Sequence, residues 1–243
     1  MSLPVFLAPV AEARPGEVVV VEGDEARHAV VVRRTRVGEQ LVLVDGAGTA
    51  ATCEVVETTK TQLHARVRSV THHPRPAPHV TVVQAIPKGD RAELTVEVLT
   101  EVGVDRIVPW AADRSVGTWR GERAAKSLAK WRAAAREAGK QSRRSWLPEV
   151  TSMATTAEVV ELIEGHDLSV VLHESASTPL ASLAVEGSAS VLVVVGPEGG
   201  LTDEELAAFG AADVVRMGES VLRTSTAGLA AVAALLSRTP RWG

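Results

Sequence analysis

The chain has 243 residues, 45% apolar, 23% charged and 3% aromatic, with a single cysteine and a formal net charge of −4 at pH 7. These figures exclude a disordered, collagenous or disulfide-stapled chain and predict a globular protein of one large or two modest domains. Cys53 alone closes no internal disulfide, Met1 to Val10 carries no basic leader region, and the apolar stretch Ala227 to Leu236 falls short of a membrane span. A cytoplasmic protein without membrane or metal partners is therefore expected.

In chain order, the first seventy residues read as short strands at Glu17 to Glu22, Gln40 to Asp45, Ala51 to Thr58 and Thr61 to Val70. In the last of these, Leu63, Ala65 and Val67 alternate with His64, Arg66 and Arg68, which puts the apolar set on one face. Asp24 to His28 reads as a short helix, followed by the basic cluster Arg33, Arg34 and Arg36. Pro74, Pro76 and Pro78 then stand at alternate positions and stiffen an extended segment, so domain boundaries are placed at 1–72, 73–79 (linker) and 80–243.

After the linker, strand-like runs (Val80 to Ala85, Arg106 to Pro109, Ser169 to His173, Ser190 to Val195, Asp213 to Met217) alternate with helical ones. The helices are expected at Asp90 to Val102, Gly121 to Ala138, Thr155 to Glu164, Thr202 to Phe209 and Thr224 to Ser237. Thr155 with Glu158, and Thr202 with Glu205, have capping-box spacing. The alternation predicts an α/β domain with a parallel sheet, and the uniformly apolar Val191 to Val195 reads as a central strand covered on both faces.

The net charge conceals a strong asymmetry. Residues 1–113 carry 12 basic and 15 acidic groups, residues 114–144 carry 10 and 2, and residues 145–243 carry 4 and 13. The middle segment is the pattern expected where a polyanion meets one face. On its helix, Arg132, Arg136 and Lys140 form one ridge and Arg123, Lys126 and Lys130 another, flanking the apolar stripe Leu128, Trp131, Ala135 and Ala138. A solvated face is the alternative for such a run. Trp110, Trp119 and Trp146 either stack on an exposed base or pack in the core.

Two segments suggest chemistry. Val195-Gly196-Pro197-Glu198-Gly199-Gly200 leads from the apolar strand into a helix, where α/β proteins build ligand sites. The loop has no lysine, matches no phosphate-cradling pattern, and places Glu198, Asp203, Glu204 and Glu205 around the helix start. Four carboxylates there repel a pyrophosphate and tolerate a cation such as a sulfonium; a plain tight turn before a dipole-matched helix is the alternative. The second segment, Met217-Gly218-Glu219-Ser220-Val221-Leu222-Arg223-Thr224, carries an arginine that either binds an anion or satisfies backbone carbonyls.

Together, Gly196 to Gly200 and, about twenty residues on, Leu222-Arg223-Thr224 closely resemble the RsmE family, 16S ribosomal RNA uridine-N3 methyltransferases of the SPOUT superfamily. Gln84 to Arg91, Thr100 to Val104, Arg114-Ser115-Val116 and Gln141 to Arg144 extend the resemblance over nearly the whole chain. Ser225 and Val98 stand where the family commonly has glutamate and lysine. The resemblance implies a β-rich PUA-like domain, then a SPOUT-type parallel sheet with a C-terminal trefoil knot, an S-adenosylmethionine cofactor, a homodimer, and 16S rRNA or the assembled small ribosomal subunit as substrate. The implied cofactor residues are Leu172, His173, Val195, Gly196, Pro197, Glu198, Gly199, Gly200, Met217, Gly218, Val221 and Leu222. Glu198 and Arg223 are the candidates for chemistry, with His173 and Glu174 as further proton acceptors. The RNA-contact candidates are Arg33, Arg34, Arg36, Lys88, Arg91, Arg114, Arg132, Arg136, Lys140 and Arg144. A silent RNA-binding module and a SPOUT enzyme acting on another RNA or atom are the alternative readings.

Overall fold

The computed structural model describes residues 3–89, 91–117, 119 and 121–242. They fall into two compact units, 1–75 with 139–147, and 76–138 with 148–243.

The first unit is a five-stranded sheet ordered β1-β3-β4-β5-β2, with β1 (Val5–Leu7), β2 (Val18–Glu22), β3 (Gln40–Val44), β4 (Thr49–Thr58) and β5 (Gln62–His72). Only β1 and β3 pair in parallel; the remaining pairs are antiparallel. Leu63, Ala65 and Val67 point inward with Phe6, Leu41, Leu43 and Cys53, as the alternation of β5 requires. Burial pushes the Cys53 thiol up to about 11, which leaves it a packing residue. The expected short helix, α1 (Gly23–Arg27), continues through a π-helical turn at His28–Val32.

Residues 139–147 belong with this unit, although the sequence places them in the second domain. The Gly48 N–H donates to the Ser145 carbonyl at 3.0 Å, that of Leu147 to Gly46 at 2.9 Å, and the Trp146 indole N–H to His73 at 3.0 Å. Such long-range backbone pairing leaves no periodic trace in the sequence.

The second unit holds a seven-stranded, all-parallel sheet ordered β10-β12-β9-β11-β6-β7-β8. Its strands are β6 (His79–Ala85), β7 (Arg106–Trp110), β8 (Glu149–Val150), β9 (Leu168–Leu172), β10 (Thr178–Pro179), β11 (Ser190–Val195) and β12 (Asp213–Arg216). The helices are α2 (Arg91–Val102), α3 (Glu122–Gln141), α4 (Thr156–Glu164), α5 (Asp203–Ala208) and α6 (Thr224–Leu236). Asp90, the expected start of α2, lies outside the described residues. Val191, Val193 and Val195 belong to the core cluster that also holds apolar residues of α2, α3 and α6, while Leu192 and Val194 belong to the one that holds those of α4 and α5. A strand covered on both faces must be apolar at every position, which is why β11 shows no alternation. Both capping boxes form, Thr155 with Glu158 and Thr202 with Glu205.

Candidate active site

In the sheet, β9 lies between β11 and β12, and all three run parallel. Their C-terminal ends therefore open on the same edge, and the loops that leave them surround a cavity of about 540 Å³. Eleven of the twelve residues expected to hold the cofactor line it: Leu172, His173, Val195, Gly196, Pro197, Glu198, Gly200, Met217, Gly218, Val221 and Leu222. The twelfth, Gly199, lies against Arg114, where a Cβ would come within 2.9 Å of the Arg114 Cβ and 3.0 Å of its carbonyl oxygen. Gly200 takes φ 75°, a left-handed conformation, and its N–H donates to the Pro197 carbonyl at 3.0 Å to close the turn.

Glu198 and Arg223 both line the cavity. The Lys88 backbone N–H donates to Glu198 Oε1 at 3.0 Å, fixing the carboxylate as an acceptor. Arg223 precedes the first turn of α6, and its carbonyl accepts from the N–H groups of Thr226 and Ala227 at 2.9 Å each, while its side chain caps nothing. His173 Nδ1 accepts from the Ser175 N–H at 3.2 Å, so in neutral histidine the ring proton sits on Nε2. Glu174, Glu219, Ser220, Thr224 and Ser225 complete the polar lining, together with Arg91.

The acidic ring differs from the sequence expectation. Of Glu198, Asp203, Glu204 and Glu205, only Glu198 lines the cavity. Glu205 is buried and bonded twice, accepting from the Thr202 N–H and from the Asp113 N–H, each at 2.9 Å. Asp203 and Glu204 occupy the first turn of α5, where they complement the helix dipole. The carboxylates at the cavity come from three loops instead: Glu174, Glu198 and Glu219.

Three residues expected to meet RNA are committed elsewhere. Lys140 has a side chain only 5% exposed and is paired with Glu25 at 2.6 Å inside the first unit, because α3 runs past Ala138 into that unit. Arg144 Nε donates to the Trp146 carbonyl at 2.8 Å, also within the first unit. Arg114 Nη1 donates to the carbonyls of Leu201 at 3.1 Å and Gly199 at 3.5 Å. Exposed basic side chains remain on α3 at Arg123, Lys126, Arg132 and Arg136, and Lys130 sits 3.7 Å from Glu93. Arg132 Nε also donates to the Val150 carbonyl. In the first unit Arg33, Arg34 and Arg36 are exposed beside Val31, Val32 and Val37. The tryptophans pack: Trp110 against Phe209, Trp119 against Trp131, and Trp146 beneath the Arg75 guanidinium.

A parallel α/β sheet with a glycine-loop cavity at three adjacent strand ends, joined to a small β-rich unit, defines a two-domain RNA methyltransferase of SPOUT-like fold. The RNA methyltransferase domain family matches residues 73–236, and the PUA domain of RNA methyltransferases matches residues 21–68. Ribosomal RNA small subunit methyltransferase E of Mycobacterium tuberculosis is 44% identical over 93% of this chain and 89% of its own length. That of Bacillus subtilis is 32% identical over 90% of each chain. A solved structure of the Neisseria gonorrhoeae protein, bound to S-adenosyl methionine, superposes with a TM-score of 0.87 at 30% identity, covering 97% of this chain and 98% of that one. A Legionella pneumophila putative methyltransferase with bound S-adenosylmethionine gives 0.89 at 28% identity, over 98% and 99%. The chain belongs to the RsmE family of ribosomal RNA small subunit methyltransferases.

Proposed function

We propose that this chain transfers the methyl group of S-adenosylmethionine to N3 of one uridine in the 16S rRNA of the small subunit. The observation that carries the reading is the assembly of three separate loops into one cavity that takes eleven of the twelve residues read as cofactor contacts. The lining tolerates a sulfonium ligand: Glu174, Glu198 and Glu219 outnumber its two cations, Arg91 and Arg223. S-adenosylmethionine supplies the electrophilic methyl group when bound. Glu198, oriented by the Lys88 N–H, accepts the N3 proton; Arg223 holds a uracil oxygen or the target phosphate. N3 is engaged in Watson–Crick pairing, so the target uridine is unpaired or flipped when it reacts.

The exposed arginines and lysines of α3 supply phosphate contacts, with Lys88, Arg91 and the cluster Arg33, Arg34 and Arg36 adding to them. The working form is a homodimer, supported by Val221 and Leu222 at the cavity, 78% and 39% exposed, an apolar surface a second copy would cover. The trefoil threading of the segment 217–223 and a cytoplasmic location are part of the same reading. Among the described residues no helix is long and apolar enough to cross a membrane. Calorimetric titration with S-adenosylmethionine tests the site: saturable binding is expected, and its loss in Gly199→Val. Absence of binding to the unaltered protein overturns the enzyme reading and leaves an RNA-binding module.

A further inference from the structure

We infer that Arg114 is a positioning residue of the cofactor loop, acting on S-adenosylmethionine through the peptide groups of residues 199–202 rather than on RNA. The inference rests on the proposed use of the cavity. Strand β6 lies between β7 and β11, so the exits of these three neighbours leave the sheet side by side. All three are tied together. Lys88, after β6, holds Glu198; Asp113, after β7, donates its N–H to Glu205; and Arg114 reaches the glycine loop that follows β11.

The two peptide groups that Arg114 grips are held at both ends. Arg114 Nη1 donates to the Gly199 carbonyl, while the N–H of that same peptide, on Gly200, donates to Pro197. Nη1 also donates to the Leu201 carbonyl, while the N–H of that peptide, on Thr202, donates to Glu205 Oε2. One nitrogen with two protons thus adds a second tie to each of these peptides, at 3.1 Å to Leu201 and a longer 3.5 Å to Gly199. The stem of Arg114 closes the arrangement from the other side, since its Cβ and carbonyl fill the space a Gly199 side chain would need. Arg114 is itself exposed and, among the described residues, its Nε and Nη2 carry no loop bond, so the loop role and a phosphate contact are told apart by measuring cofactor and RNA affinity side by side.

The test measures S-adenosylmethionine binding by calorimetry and 16S rRNA binding by anisotropy for the unaltered protein, Arg114→Ala and Arg114→Lys. The expected result is a cofactor Kd roughly tenfold weaker in Arg114→Ala, about the loss of one charge-assisted hydrogen bond. Arg114→Lys keeps the alkyl stem and one donor nitrogen and recovers part of that affinity. RNA affinity, its salt slope and the Tm stay unchanged, and in turnover the KM for S-adenosylmethionine rises while the KM for RNA does not. Unchanged cofactor affinity in Arg114→Ala overturns the inference. So does a fall in RNA affinity with a salt slope reduced by about one, which marks a phosphate contact. A lowered Tm with both affinities lost in both variants also overturns it, as a general folding role. Failure of the unaltered protein to bind S-adenosylmethionine instead rejects the reading of the cavity, before any variant is compared.

Discussion

Glu198 owes its orientation to one backbone donor, the Lys88 N–H, from a loop 110 residues away in sequence. Its part in the site was legible because a carboxylate inside a glycine loop is out of place for a phosphate ligand; the donor that aims it was not. Glu198→Gln keeps an acceptor for that N–H but removes the proton acceptor and one of the three negative charges of the lining, so kcat should fall by roughly 10²-fold or more while the cofactor Kd weakens by a much smaller factor. Single-turnover kinetics beside calorimetry checks this, and an unaltered rate would exclude Glu198 as the base. At Gly199 the constraint is steric: Gly199→Ala must displace either the loop or Arg114, and a weaker cofactor Kd with unchanged RNA affinity is expected. Glu205 and Lys140 mark where reading residues singly fails. Both sit in charged runs that look solvated, and both are buried by partners that only the fold supplies, Asp113 and Glu25. Identical side chains on a helix surface carry no sign of which will be covered.

Elements with a long period or a local signature were readable from the chain alone. The helices α4 and α5 start within a residue of their expected positions because the capping boxes that set them are local. The two- and three-residue strands β1, β8 and β10 are too short to register any period, and their pairing partners are distant in sequence. The last residues of the chain show the same limit. Arg241 donates to Asp105 Oδ2 at 2.6 Å and Oδ1 at 3.1 Å, and to the carbonyls of Pro78 and Gly103, tying the tail to the starts of β6 and β7. The pair is 10% and 8% exposed, so Arg241→Ala leaves Asp105 with the Val80 N–H but without this counter-charge, and should cost about 3–5 kcal/mol, read from urea unfolding. His166 fastens the end of α4 to β6: Nδ1–H donates to the Leu162 carbonyl at 2.6 Å, and Nε2 accepts from Thr81 Oγ1 at 3.0 Å. Burial, aided by the Arg106 charge, holds its pKa below the ordinary value of 6.5, against the opposing Leu162 carbonyl and Asp167 charge. The unfolded chain therefore takes up the proton first, and this contribution to stability is complete above 6.5 and is lost as pH falls through the lowered value. Unfolding free energy should drop as pH falls below 6.5, and His166→Gln should shrink that drop.

For the whole molecule, the uneven charge distribution was the most useful feature of the composition, and the structure narrows it. Residues 114–144 hold ten basic groups, but Arg114 serves the glycine loop and Lys140 and Arg144 serve the first unit. The remaining α3 residues carry the proposed RNA surface. Converting Arg123, Lys126, Arg132 and Arg136 to glutamate should weaken 16S rRNA binding and flatten its salt dependence while cofactor binding stays intact. Equal RNA affinity would leave α3 a solvated face. The two units part at residues 75 and 76, inside the proline-rich segment, and the place of residues 139–147 in the first unit depends on backbone pairing no local pattern encodes. The central claim, methylation of one uridine at N3, is tested most directly by mass spectrometry of 16S rRNA nucleosides from a strain lacking this protein. The account predicts that one N3-methyluridine disappears and returns when the protein is restored. Retention of every N3-methyluridine in the deletion strain would contradict it.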